Sequence, residues 1–177
     1  MKWFIYVLVI VCIIVIQQSL YNTFPLGLYA PDILLLVALA IVWATNNFDF
    51  LIFAVLGGFW TEINYGLPVG TVILSLIVYG SIAYLVIHRW LFSDKSWLHF
   101  FGAVAIGTIF INIWSWIYIS ILHAFNWSST SISFGLFVRS LLPALIVNLL
   151  LTYPIFVMIE LLVKYIQKLS RPSVIKI

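Results

Sequence analysis

Six apolar runs, separated by short stretches carrying Asn, Gly, Pro or Ser, occupy nearly the whole of this 177-residue chain. A helix that crosses a bilayer needs about 20 mainly apolar residues, because lipid offers no partner to backbone N–H and C=O groups and the helix must satisfy them internally. The runs lie at about 3–20, 31–45, 48–62, 69–91, 98–122 and 134–163. With 65% hydrophobic and 7% charged residues there is too little polar surface to clothe a soluble globule. The expected fold is an all-α integral membrane protein, one transmembrane domain over residues 1–177 built as a bundle of about six helices. No internal repeat divides it.

Local signals set the boundaries. The start, Met1-Lys2-Trp3-Phe4 and then apolar residues to Ile16, has the charge and apolar core of a secretory signal, but Gln17-Gln18-Ser19 follows where a small-residue cleavage site would stand. It reads as a retained first helix. Pro25 and Gly27 mark a loop at the membrane surface, and the polar turn Thr45-Asn46-Asn47 separates the second run from the third. Both of those runs are short for full spans, so the hairpin from Asp32 to Glu62 either crosses or re-enters; Leu26 and Leu28 can lengthen its first arm, which favours crossing. The last run contains Pro143 and Pro154, each of which removes a helix hydrogen bond, and one kinked span is expected, with a trailing interfacial helix as an open alternative.

Lys and Arg stay on the cytoplasmic side of a membrane. With six spans, Lys2, the Arg89/Lys95 loop and the tail with Lys164, Lys168, Arg171 and Lys176 share one side, which places both termini in the cytoplasm; only Arg139 departs. Trp3, Tyr21, Tyr29, Trp60, Tyr65, Trp90, Trp97 and Trp127 lie near span ends, where amphipathic rings favour the headgroup level.

Few residues remain for chemistry. The carboxylates are Asp32, Asp49, Glu62, Asp94 and Glu160, and no metalloprotease, nucleophile-elbow, P-loop or dinucleotide-binding pattern is present. His88 and His99 belong toward the cytoplasmic face and His123 toward the outer one, so they do not converge on a metal, and Cys12 is the single cysteine. Neither a metal nor a cofactor nor nucleic acid is expected, and an enzyme is not the favoured class. An enzyme acting on lipid-linked substrates stays open as a minor alternative. Arg139 lies a turn or two inside the last span, where an uncompensated charge is costly, so it must snorkel outward or find a partner, and Glu62 or Asp32 are the available acids. Asp32 also suits a helix start, where its carboxylate can accept from unpaired backbone N–H groups. The stretch Gly57 to Gly70, with Gly58, Glu62, Gly66 and Pro68, holds an acid between glycines that allow close helix approach and sharp turns. It serves either as a structural turn or as part of a partner-binding surface.

Two segments resemble a known family. Pro31-Asp32-Ile33-Leu34-Leu35-Leu36-Val37 and Gly58-x-x-x-Glu62-x-x-x-Gly66-x-Pro68-x-Gly70 are similar to the second-helix opening and the glycine-acid-glycine-proline-glycine turn of the bacterial rod shape-determining protein MreD, and the length and layout agree over most of the chain. That family more usually has Asp where Glu62 stands and Ser where Tyr65 stands. The resemblance implies a non-enzymatic scaffold of the cell-elongation machinery in the bacterial cytoplasmic (inner) membrane. Its expected partner is an MreC-like membrane protein and, indirectly, MreB-like filaments and the peptidoglycan glycosyltransferase and transpeptidase. Asp32, Glu62, Gly58, Gly66, Pro68 and Gly70 would shape the docking region, with Arg139 as an intramembrane charge partner. The family fold is also similar to the substrate-binding S components of energy-coupling-factor (ECF) vitamin transporters. The alternative function is therefore a small-molecule binding subunit with an outward pocket around Glu62 and Arg139.

Overall fold

The computed structural model describes residues 2–23, 32–45, 48–89, 97–127 and 133–170. All regular structure among them is helical: α1 (Lys2–Thr23), α2 (Ile33–Ala44), α3 (Phe50–Tyr65), α4 (Thr71–Arg89), α5 (Trp97–Ala124) and α6 (Phe134–Ser170). Pro31, the Pro25/Gly27 loop, the Asn46-Asn47 turn, the loop with Trp90, Asp94 and Lys95, and the tail with Arg171 and Lys176 lie outside the described residues.

The pattern of α2 dictates its place. Ile33-Leu34-Leu35-Leu36-Val37-Ala38-Leu39-Ala40-Ile41-Val42-Trp43 is apolar on every side, and a helix with no polar face must be buried all round. Every one of those residues is buried, and α2 touches each of the other five helices. At 1.5 Å per residue its 12 residues extend about 18 Å, short of a hydrocarbon layer of about 30 Å. That length rule applies to helices facing lipid, and α2 is walled off by its neighbours. It ends at Thr45, whose N–H and hydroxyl both donate to the Ile41 carbonyl at 2.9 Å.

Among the described residues, three helices are long and apolar enough to cross a membrane: Thr71–His88 of α4, Trp97–Ala124 of α5 and Phe134–Ile166 of α6. α1, α2 and α3 carry shorter apolar stretches. α3 is irregular, with a π-helical turn over Phe53–Gly57. α6, in contrast, runs on as one helix through Pro143 and Pro154 to Ser170. The hydroxyls of Ser140 and Thr152 donate to the Phe137 and Asn148 carbonyls (2.9 and 2.7 Å), anchoring the backbone beside the prolines.

The exterior is apolar: Leu98, Ile106, Leu142, Leu150 and Leu161 are all more than half exposed, a surface suited to lipid. Cys12 is exposed on α1. At the end of the bundle where α2 finishes and α3 begins, the Tyr6 hydroxyl donates to buried Asp49 (3.0 Å) and His88 Nε2 bonds the Val42 carbonyl (2.9 Å).

Candidate functional site

The glycine-flanked acid lies at the opposite end of the α3–α4 hairpin. α3 stops because Gly66 takes a left-handed conformation (φ +61°), which carries a steric penalty for residues with a Cβ. Leu67 N–H then reaches back to the Glu62 carbonyl at 2.9 Å, a helix-ending pattern that satisfies an otherwise unpaired carbonyl. Pro68 and Val69 complete the turn, and Gly70, at φ +100°, stands at the N-cap of α4.

An N-cap residue usually supplies a side-chain oxygen to the first amides of its helix. Gly70 has no side chain, and the Glu62 carboxylate takes over that role from the preceding helix. Its Oε2 accepts from Gly70 N–H (3.1 Å), and its Oε1 accepts from Val72 and Ile73 N–H (2.6 and 2.9 Å). Thr71 N–H and hydroxyl donate to the Pro68 carbonyl (3.2 and 2.7 Å), so the whole first turn of α4 is satisfied. The negative carboxylate also sits at the positive end of the α4 dipole. Glu62 is only 1% exposed, and these amides are what make a buried charge tolerable there.

Close backbone approach makes this reach possible. A Cβ on Gly58 would lie 3.1 Å from the Ile73 backbone, and one on Gly70 would lie 2.7 Å from the Tyr118 hydroxyl. Tyr118 in turn donates to the Val69 carbonyl at 2.8 Å. It ends a ladder of stacked rings on α5, Phe110, Trp114 and Tyr118, each pair 6.1 Å apart, which continues onto Tyr79 of α4 at 5.5 Å from Phe110. The hairpin turn is thus held from α5 as well as from within.

Asp32 caps α2 as its position suggested, with Oδ1 accepting from Leu35 N–H at 3.0 Å. Two further donors at this helix start find partners far away in the chain. Asp32 N–H donates to Asn148 Oδ1 of α6 (2.8 Å), and Leu34 N–H donates to Gln17 Oε1 of α1 (3.2 Å). Asn148 Nδ2 passes the network on to Thr108 Oγ1 of α5 (3.0 Å), whose hydroxyl donates to the Val104 carbonyl (2.9 Å). Asn148 and Thr108 are each 1% exposed, so four helices meet at a buried polar knot. Gln17, Thr108 and Asn148 were not among the residues singled out from the sequence. The available signal was the isolation of Asn148 within an apolar run, since an amide in such a place needs an internal partner.

The expected pairing of Arg139 with Glu62 or Asp32 is not formed. Arg139 is exposed on the second turn of α6 and has no ion pair among the described residues, while both Glu62 oxygens are held by α4 amides. Snorkelling is the arrangement its exposure fits. Glu62, Gly58, Gly66, Pro68 and Gly70 come together in one turn, and Asp32 belongs to the polar knot.

What this arrangement does chemically is anchor backbone. A carboxylate that accepts from three amides through both oxygens and is almost wholly buried is engaged within the fold rather than presented to a substrate. Comparison of the chain with protein-family models, with curated proteins and with solved structures finds no match to any of them.

Proposed function

We propose that this protein is a non-enzymatic, multi-pass scaffold of the bacterial cytoplasmic membrane, with both termini in the cytoplasm. In this proposal it docks an MreC-like membrane protein and so links MreB-like filaments to the peptidoglycan glycosyltransferase and transpeptidase. The observation that carries it is the rigid α3–α4 turn, the segment with the family resemblance. Its acid is fully committed to internal bonds, yet its outer side is open. Phe59 and Ile63, one helical turn apart on α3, are 48% and 60% exposed, and a Cβ on Gly66 would meet nothing within 4 Å. A stiff, apolar, uncovered helix end is what a partner transmembrane helix can pack against through van der Waals contact.

The vitamin-transporter alternative needs solute-binding groups around Glu62 and Arg139, and Glu62 offers none. The test is co-purification. The double variant Phe59→Ala/Ile63→Ala should reduce recovery of an MreC-like partner from bacterial membranes about tenfold while its own melting temperature stays within a few degrees. Undiminished recovery with normal folding would remove the docking assignment.

A further inference from the structure

The geometry points to a binding site for an organic ammonium group at the end of the bundle away from the Glu62 turn. There, Trp43 at the end of α2, Trp97 and Phe100 at the start of α5, and Phe156 and Glu160 of α6 line a half-open cavity of about 280 Å³. This lies just under the range of about 300–1,000 Å³ for sites that take drug-sized ligands, and suits a head group.

The walls have the chemistry such a group requires. Trp97 and Phe156 meet at 4.6 Å with their planes 70° apart, Trp43 and Phe100 at 5.4 Å and 66°, and Phe100 and Phe156 at 4.7 Å. Rings set in steeply inclined planes bound the space on more than one side, and aromatic π-faces attract ammonium ions, quaternary ones included, without demanding a directed hydrogen bond. Phe100, Phe156 and Trp43 are buried, while Trp97 stands 42% exposed at the mouth. The acid supplies the opposite charge. Glu160 already holds an ammonium, that of Lys164 one turn further along α6, at 2.7 Å. Lys164 is well exposed and free to swing into solvent, so an incoming ammonium displaces it from the carboxylate and the positive charge is replaced like for like.

A membrane lipid with an amine head group and a dissolved quaternary amine share this chemistry. In saturation-transfer NMR on the purified full-length protein in detergent, tetramethylammonium methyl protons should receive saturation and titrate to a plateau. Glu160→Gln should weaken that binding about tenfold, and Trp97→Ala should weaken it similarly. Lys164→Gln should tighten it several-fold by removing the resident competitor, a gain that a loss of folding would not produce. Retention of phosphatidylethanolamine over phosphatidylglycerol by native mass spectrometry, lost in Glu160→Gln, assigns the lipid as source; equal retention with an intact tetramethylammonium response assigns the dissolved amine. Unaltered tetramethylammonium binding in Glu160→Gln, or no gain in Lys164→Gln, overturns the site.

Discussion

Two helix starts inside this bundle face the same problem and solve it differently. The first amides of α4 are met by one charged side chain, Glu62, from eight to eleven residues upstream. The first amides of α2 are met by Asp32 beside them and by two neutral amides, Gln17 and Asn148, the second 116 residues away. The α4 solution concentrates three bonds on one group and is local. The α2 solution spreads its bonds over three groups and depends on assembly of the whole bundle. Concentration makes the α4 start fragile to a single substitution, and dispersal makes the α2 start tolerant.

That contrast can be broken by mutation, and the largest effect belongs to Glu62. Glu62→Leu leaves three amides at the α4 start without their acceptor, one buried and two partly buried, and at about 1–3 kcal/mol for each unsatisfied group, partly relieved by water and relaxation, a loss of about 3 kcal/mol is expected. The melting temperature in detergent should fall by about 6–12 °C. Glu62→Gln, which keeps one acceptor oxygen, should fall between Glu62→Leu and the unaltered protein. Asn148→Leu removes the acceptor of one amide and the donor to Thr108, for about 1–2 kcal/mol and a fall of about 2–8 °C. Equal or greater damage from Asn148→Leu than from Glu62→Leu would reverse the ranking of the two starts. The smallest effect is expected at Arg139. Exposed and without an ion pair among the described residues, it should tolerate replacement by Gln within about 0.5 kcal/mol by the same thermal measurement. A drop comparable to that of Glu62→Leu would mean that the arginine holds an internal partner.

The same division separates what could be read from the sequence from what could not. The α4 start was legible because every element of it, Gly58, Glu62, Gly66, Pro68 and Gly70, lies within thirteen consecutive positions, and glycine, proline and a lone acid are strong local signals. The Asp32 cap was legible for the same reason. That Glu62 would turn its carboxylate onto the following helix, rather than toward Arg139, depended on how closely α3 and α4 approach at Gly58 and Ile73, and no spacing rule encodes that distance. The Asn148–Thr108 link joins helices whose relative rotation is set by packing over their whole length. The burial of α2 was implicit in its unbroken apolar run, but the same pattern also suits a lipid-facing span, and periodicity cannot separate the two.

The reach from Asp32 to Asn148 bears on how the molecule is made. The α3–α4 hairpin carries all its capping groups within one short piece of nascent chain and can settle as soon as it leaves the ribosome. The α2 start cannot: its acceptor on α6 is synthesised 116 residues later, roughly 6–23 s at translation speeds of ~5–20 residues per second. For that interval the central rod of the protein exists without its final fastening.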